Sequence, residues 1–177
     1  IVRTLPEDYP DGYINGHAYV DLGLPSGLKW ATHNVGASLI YETGDYYAWG
    51  EIETKTEYTE ENSKTHNIEL DDFSGDPQYD VTTAKWGSTW RMPTYEDFKE
   101  LLAYTEIEQD MIGMNSGLKM TGPNGNYIFF PYTPSQGQVL EFISVWSSSP
   151  HNIHYANDNT KASALHSYRE WTYGIHY

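Results

Sequence analysis

Turn residues cut this chain into pieces too short for a bundle of long helices. Pro25-Ser26-Gly27 parts the run Ala18–Leu22 from Leu28–Ala31, and Pro123-Asn124-Gly125 parts Leu118–Met120 from Tyr127–Phe130. Proline presets φ and Asn-Gly reaches positive φ cheaply, so each pair of runs is expected to fold back as a β-hairpin. A further strand is expected from Val139 to Trp146. Helical signals gather in one place. Thr94 follows Pro93 and stands three residues before Asp97, a capping-box spacing, and Phe98, Leu101 and Leu102 recur with helical period, which predicts a helix over 94–105. The expected class is α+β, with short antiparallel strands, few helices and long loops.

At 177 residues the chain has room for one core. Pro6, Pro10, Gly12 and Gly16 make residues 1–16 read as an extended lead-in or linker, with a single domain over 17–177. Hydrophobic residues are only 38% of the chain, yet 6 Trp, 16 Tyr and 5 Phe supply enough ring surface to build a core on aromatics. The aromatic stretch 41–50 (Tyr41, Tyr46, Tyr47, Trp49) is assigned to that core. A net charge of −15 repels phosphate backbones and anionic headgroups, so no nucleic-acid partner is expected. No apolar run approaches a membrane span, so no direct membrane insertion is expected. The first residue is Ile1 rather than Met, consistent with a leader or lipoprotein signal removed upstream.

Residues 51–80 hold ten Asp or Glu against two Lys and few aliphatic residues, which reads as a long solvated excursion. Its Asp71–Asp76 stretch lacks the alternating ligands and distal Glu of an EF-hand loop. Chemistry is sparse elsewhere. The absence of Cys removes thiol catalysis and thiolate metal sites. Ser26–Lys29 and Ser116–Lys119 have a serine/lysine spacing known from penicillin-binding enzymes, but both sit at strand turns and lack the partner motifs. His151 and His154 have the spacing of two metal ligands, with His166 and His176 nearby in sequence, a weak signal for Zn²⁺ or Ni²⁺, and no metal or other cofactor is expected. Among the 25 acids nothing singles out a catalytic pair, so no enzyme activity is expected.

From Ser147 the chain changes character: Ser, His, Asn and Tyr fill sixteen of 31 positions, and the charges cancel. Two readings fit. One is a polar surface strand with its loops. The other is a binding face, in which Tyr and Trp give rigid contact area and Ser and Asn give adaptable hydrogen bonds.

Particular runs carry a family resemblance. They are Tyr19–Ala31 (YVDLGLPSGLKWA), Asn34–Ala37, Gly44–Glu51 (GDYYAWGE), Trp90–Thr94 (WRMPT), Gly122–Asn126 and Trp146–Ser149 (WSSS). In this order the chain resembles the Fibrobacter succinogenes major paralogous domain family of Bacteroidetes surface proteins. That resemblance implies a C-type-lectin-like fold of the formylglycine-generating-enzyme branch. It also implies an extracellular or cell-surface location, lipoprotein-anchored, or a place on a phage particle. The branch includes variable proteins of diversity-generating retroelements, in which copying errors at template adenines scatter codons after the Trp-Ser-Ser-Ser run. Residues 151–177 fit that pattern, with Lys161, Glu170 and Trp171 as the only residues not reachable from an AAY codon by changing adenines.

The resemblance thus implies a non-enzymatic receptor- or surface-recognition protein with a variable binding segment at 151–177. The candidate ligand-binding residues are His151, Asn152, His154, Tyr155, Asn157, Asn159, Ser163, His166, Tyr168, Trp171 and Tyr173. The partner would be a protein or glycan ligand on a cell surface. The alternative is a fixed-sequence adhesion or glycan-binding module. Sulfatase-modifying relatives need Cys, and iron-dependent relatives need a His-x₃-His element. Sugar-binding lectins of the fold use Glu-Pro-Asn and Trp-Asn-Asp motifs around Ca²⁺. This chain has none of these, Ala156-Asn157-Asp158 being the nearest remnant. Family members close on a Gly-x-Ser-Val-Arg strand, whereas this chain ends Gly174-Ile175-His176-Tyr177, so the closing strand is expected to be diverged or cut off.

Overall fold

In a computed structural model, residues 9–133, 142–150, 161–168 and 174–176 are described. Their elements run β1 (Gly12–Ile14), β2 (His17–Asp21), β3 (Lys29–Ala31), α1 (Val81–Trp86), α2 (Tyr95–Tyr104), β4 (Glu106–Ile112), β5 (Asn115–Thr121), β6 (Tyr127–Pro131), β7 (Phe142–Pro150), β8 (Ala162–Tyr168) and β9 (Gly174–His176). The strands form three sheets of three, ordered β1-β2-β3, β4-β5-β6 and β7-β8-β9, and the two helices are short. The α+β class with few helices holds.

The chain separates into two compact units. The first comprises residues 1–44, 99–143 and 167–174; the second comprises 45–98, 144–166 and 175–177.

In the first unit both expected hairpins form. Strand β2 pairs antiparallel with β3 through Tyr19↔Ala31 and Val20↔Trp30, and its alternation puts Ala18 and Val20 inside. Strand β5 pairs antiparallel with β6 through Leu118↔Phe130 and Met120↔Ile128, all four buried. The turn between them is bonded back to β2, since the Asn124 amide donates to the Asp21 carbonyl at 2.8 Å. Gly122 packs so closely that a Cβ there would lie 2.1 Å from the Leu22 carbonyl oxygen.

Two strands were not expected. β1 pairs antiparallel with β2 through Gly12↔Tyr19 and Ile14↔His17, inside the stretch read as a lead-in. Asn15 and Gly16, both at positive φ, make the tight turn that allows it. β4 pairs with β5 over seven residues from Glu106↔Thr121 to Ile112↔Asn115. Its Glu, Gln and Asp are poor strand formers, and pairing with a buried neighbour overrides that preference.

In the second unit, helix α2 starts where the capping box predicts. The Thr94 N–H donates to Asp97 Oδ2 at 2.7 Å, and the Asp97 N–H donates to Thr94 Oγ1 at 3.2 Å. Phe98 and Leu101, four and seven residues after Thr94, are fully buried. Helix α1 was missed, although Asp80 before it and Gly87 after it are ordinary start and stop residues.

The acidic stretch 51–80 contains neither helix nor strand, but it is not simply solvated. Leu70 and Phe73 are buried, as are Glu51 at 5% and Asp80 at 0% exposure. The aromatic stretch 41–50 likewise divides: Trp49 lies in the core against Phe73, with ring centroids 5.0 Å apart, whereas Tyr46 is exposed. A strand also forms at 174–176, where the closing strand was expected to be diverged or missing.

Candidate functional site

The candidate site is the end of strand β7 and the chain that follows it. β7 covers the last part of the expected 139–146 strand and continues to Pro150, so the Ser147–Ser149 run belongs to a strand and all three serines are buried. Buried hydroxyls need partners, and each of these has one.

The frame is built from the acidic stretch and the Trp90–Thr94 turn. Asp72 accepts from Ser148 Oγ at 2.9 Å with one carboxylate oxygen and from Ser149 Oγ with the other. The Tyr95 N–H, at the start of α2, donates to Ser149 Oγ at 2.9 Å. The Ser148 N–H donates to the Pro93 carbonyl at 2.9 Å, and the Trp49 indole N–H donates to the Ser147 carbonyl at 2.9 Å. Trp146, at the surface, donates through its indole N–H to the Tyr47 carbonyl at 3.0 Å. These bonds fix the backbone that delivers residue 151.

Two further acids hold the frame itself. Asp80 caps α1 by accepting from the Thr83 N–H at 2.9 Å, and its other oxygen takes the N–H groups of Gly75 and Met92, each at 2.8 Å. Asp97 accepts from Arg91 Nη1 at 2.5 Å and Nη2 at 3.2 Å, a bidentate pair. Burial pushes the Asp97 carboxyl up, but Arg91 and the Thr94 N–H outweigh it and hold it below the ordinary carboxylate value; hydrogen bonding to Asp97 raises Arg91. Glu51 follows the same rule. Burial opposes its ionisation, while Lys55, whose ammonium lies 2.6 Å away, and the Lys64 N–H keep it low.

These hydrogen bonds position the end of β7. The Ser149 hydroxyl donates its proton to Asp72 and accepts one hydrogen bond, from the Tyr95 N–H. Among the described residues no group of three or more His, Asp or Glu is placed to hold a metal. The Asp71–Asp76 stretch uses Asp72 on the serines and on the Ser74 N–H.

The sequence-predicted binding residues divide into two sets. His151, Asn152, His154, Tyr155, Asn157, Asn159, Trp171 and Tyr173 lie outside the described residues. Ser163, His166 and Tyr168 lie on β8. Ser163 is fully buried and its hydroxyl reaches the Pro150 carbonyl at 3.4 Å, so it stands as a packing residue rather than a ligand contact. The correction has a simple cause: β8 alternates too little, with Ser163, Ala164 and Leu165 buried in succession. His166 is half-buried.

Sequence reasoning missed the acids Asp72 and Asp80 as framework. The one signal pointing to Asp80 is its place before a short apolar run ending in Gly. Asp72 had none, because its serine partners are 76 and 77 residues away. Among the described residues no helix is long and apolar enough to cross a membrane. No protein-family model matches the chain, and searches of curated proteins and of solved structures likewise give no match.

Proposed function

We propose that the chain is a non-enzymatic, C-type-lectin-like ligand-binding domain whose segment 151–177 carries recognition. The observation that supports this is the framing of β7: six backbone or side-chain bonds to Asp72, Pro93, Tyr95, Trp49 and Tyr47 hold Trp146–Ser149. A strand held this way can carry a following segment whose residues vary, provided the buried β8 positions Ser163, Ala164, Leu165 and Ser167 stay small or apolar. The composition of 151–177 suits recognition, with Tyr and Trp as rigid anchors and Asn, His and Ser as adaptable bonding groups. The ligand is a protein or glycan at a cell surface, met outside the cell or from a phage particle, as the family resemblance implies.

The test is capture from an array of cell-surface proteins and glycans, by the chain and by a variant carrying Tyr155→Ala, Tyr168→Ala and Trp171→Ala. The reading predicts a captured ligand whose affinity falls about 30-fold or more in the variant, with Tm changed by a few degrees. Capture unchanged by the triple substitution, or a variant that unfolds, contradicts it.

A further inference from the structure

In the second unit several rings stay at the surface around one stretch of backbone. Tyr46 is 55% exposed, Tyr58 44% and Trp146 37%. The Tyr58 hydroxyl donates to the Tyr46 carbonyl, and the Trp146 indole N–H donates to the Tyr47 carbonyl at 3.0 Å. The polar tips of Tyr58 and Trp146 are thereby engaged, so what those rings offer to solvent is ring carbon. Exposed aromatic groups gathered in this way mark binding surfaces more often than scattered single residues do.

The charges at this place have one sign. Asp45 accepts from the Tyr47 hydroxyl at 3.1 Å, and Glu53 is exposed. Residues 45–61 carry six acids against Lys55 alone, and Lys55 is already paired with buried Glu51. The molecule places one cation of its own here. The Lys85 ammonium lies 5.8 Å from the centre of the Tyr47 ring and 4.0 Å from Glu53, both at the outer limit of such contacts. A π face beside a carboxylate is the arrangement that attracts ammonium and guanidinium groups, and a surface of this sign repels anionic glycans and lipids.

We propose that this aromatic, carboxylate-edged surface binds a basic segment of a protein partner, with Lys or Arg side chains laid on Tyr46, Tyr58 and Trp146 and neutralised by Asp45 and Glu53. It uses residues outside 151–177, so it stands whether or not that segment carries recognition. Arg is the better occupant, since its planar guanidinium stacks on rings and pairs bidentately with carboxylates.

The experiment is a titration of the full chain with a fluorescent Arg-Gly repeat octapeptide, its citrulline counterpart, and maltohexaose as a neutral glycan. Tyr46→Ala is the decisive variant, because it removes an exposed ring; Trp146→Ala is the second. The Arg peptide should bind and the citrulline peptide should not, and binding should weaken about five-fold in each ring variant. Equal binding of the Arg peptide by the chain and by Tyr46→Ala would reduce the effect to general attraction between opposite charges and overturn the proposal. So would absence of Arg-peptide binding, or binding of maltohexaose that Tyr46→Ala abolishes.

Discussion

A carboxylate with no surface exposure is costly unless every lone pair is used, and Asp80 meets that condition with three backbone N–H partners. It joins three points of the chain: the loop at Gly75, the start of α1 and the Met92 strand-like turn. Asp80→Ala strips the cap from α1 and leaves the buried Met92 and Thr83 N–H groups without an acceptor. The expected loss is about 3 kcal/mol, from the Thr83 cap bond at about 1 and the Gly75 and Met92 donors at about 1 each. Thermal unfolding should show it as a fall in Tm of roughly 10 °C for a chain of this size. A fall of only a degree or two would mean that the loop at 75 relaxes to supply new partners.

At the scale of elements, α2 is set by its first turn. Asp97 closes the capping box with Thr94 and grips Arg91, so one side chain ties helix start to preceding turn. Its folded-state pKa is depressed below the ordinary value of 3.8, and Glu51 is depressed below 4.5. A carboxyl of lower pKa in the folded state stabilises above its unfolded pKa, and that contribution disappears as pH falls through the folded value. Stability should therefore be level in these two groups above about pH 5 and decline on acidification below about 4.5. Urea midpoints followed from pH 6 to pH 3 in the chain and in Asp97→Asn should show a shallower acid decline in the variant. Parallel declines would remove Asp97 from the account.

Legibility in the sequence also divides by element. The hairpins at 17–31 and 115–131 and the helix at 95–104 were readable because each carries its own local signal: Pro-Ser-Gly, Asn-Gly and Thr-x-x-Asp. β1 carried a local signal too, Asn15-Gly16 after Tyr13-Ile14, which the surrounding Pro and Gly masked as a lead-in, whereas Glu106–Ile112 becomes a strand through its partner, against the preference of its Glu, Gln and Asp. The candidate site was readable only as a change of composition after Trp146. The bonds that frame it join residues 54 to 99 positions apart, and no short window on the sequence contains both ends. Ser163 shows the limit from the other side, since a serine suited by type to a binding face is placed by strand packing in the interior.

For the whole molecule, the acidic stretch reconciles charge with structure. Asp72 and Asp80 spend their charge on backbone and serine donors, and Glu51 on Lys55, while the other acids keep the surface strongly negative. In the proposed reading, Trp146–Ser149 and its partners are the fixed frame, and 151–177 varies outside the buried β8 positions Ser163, Ala164, Leu165 and Ser167. Sequencing of the gene's 3′ end and flanking DNA across a bacterial population tests this most directly. The account predicts substitutions confined to codons 151–177, at template adenines beside a reverse transcriptase, stopping at Trp146–Ser149, with Asp72, Asp80 and Arg91 unchanged. An invariant 151–177 with no template nearby, or substitutions spread evenly through the frame, would contradict it.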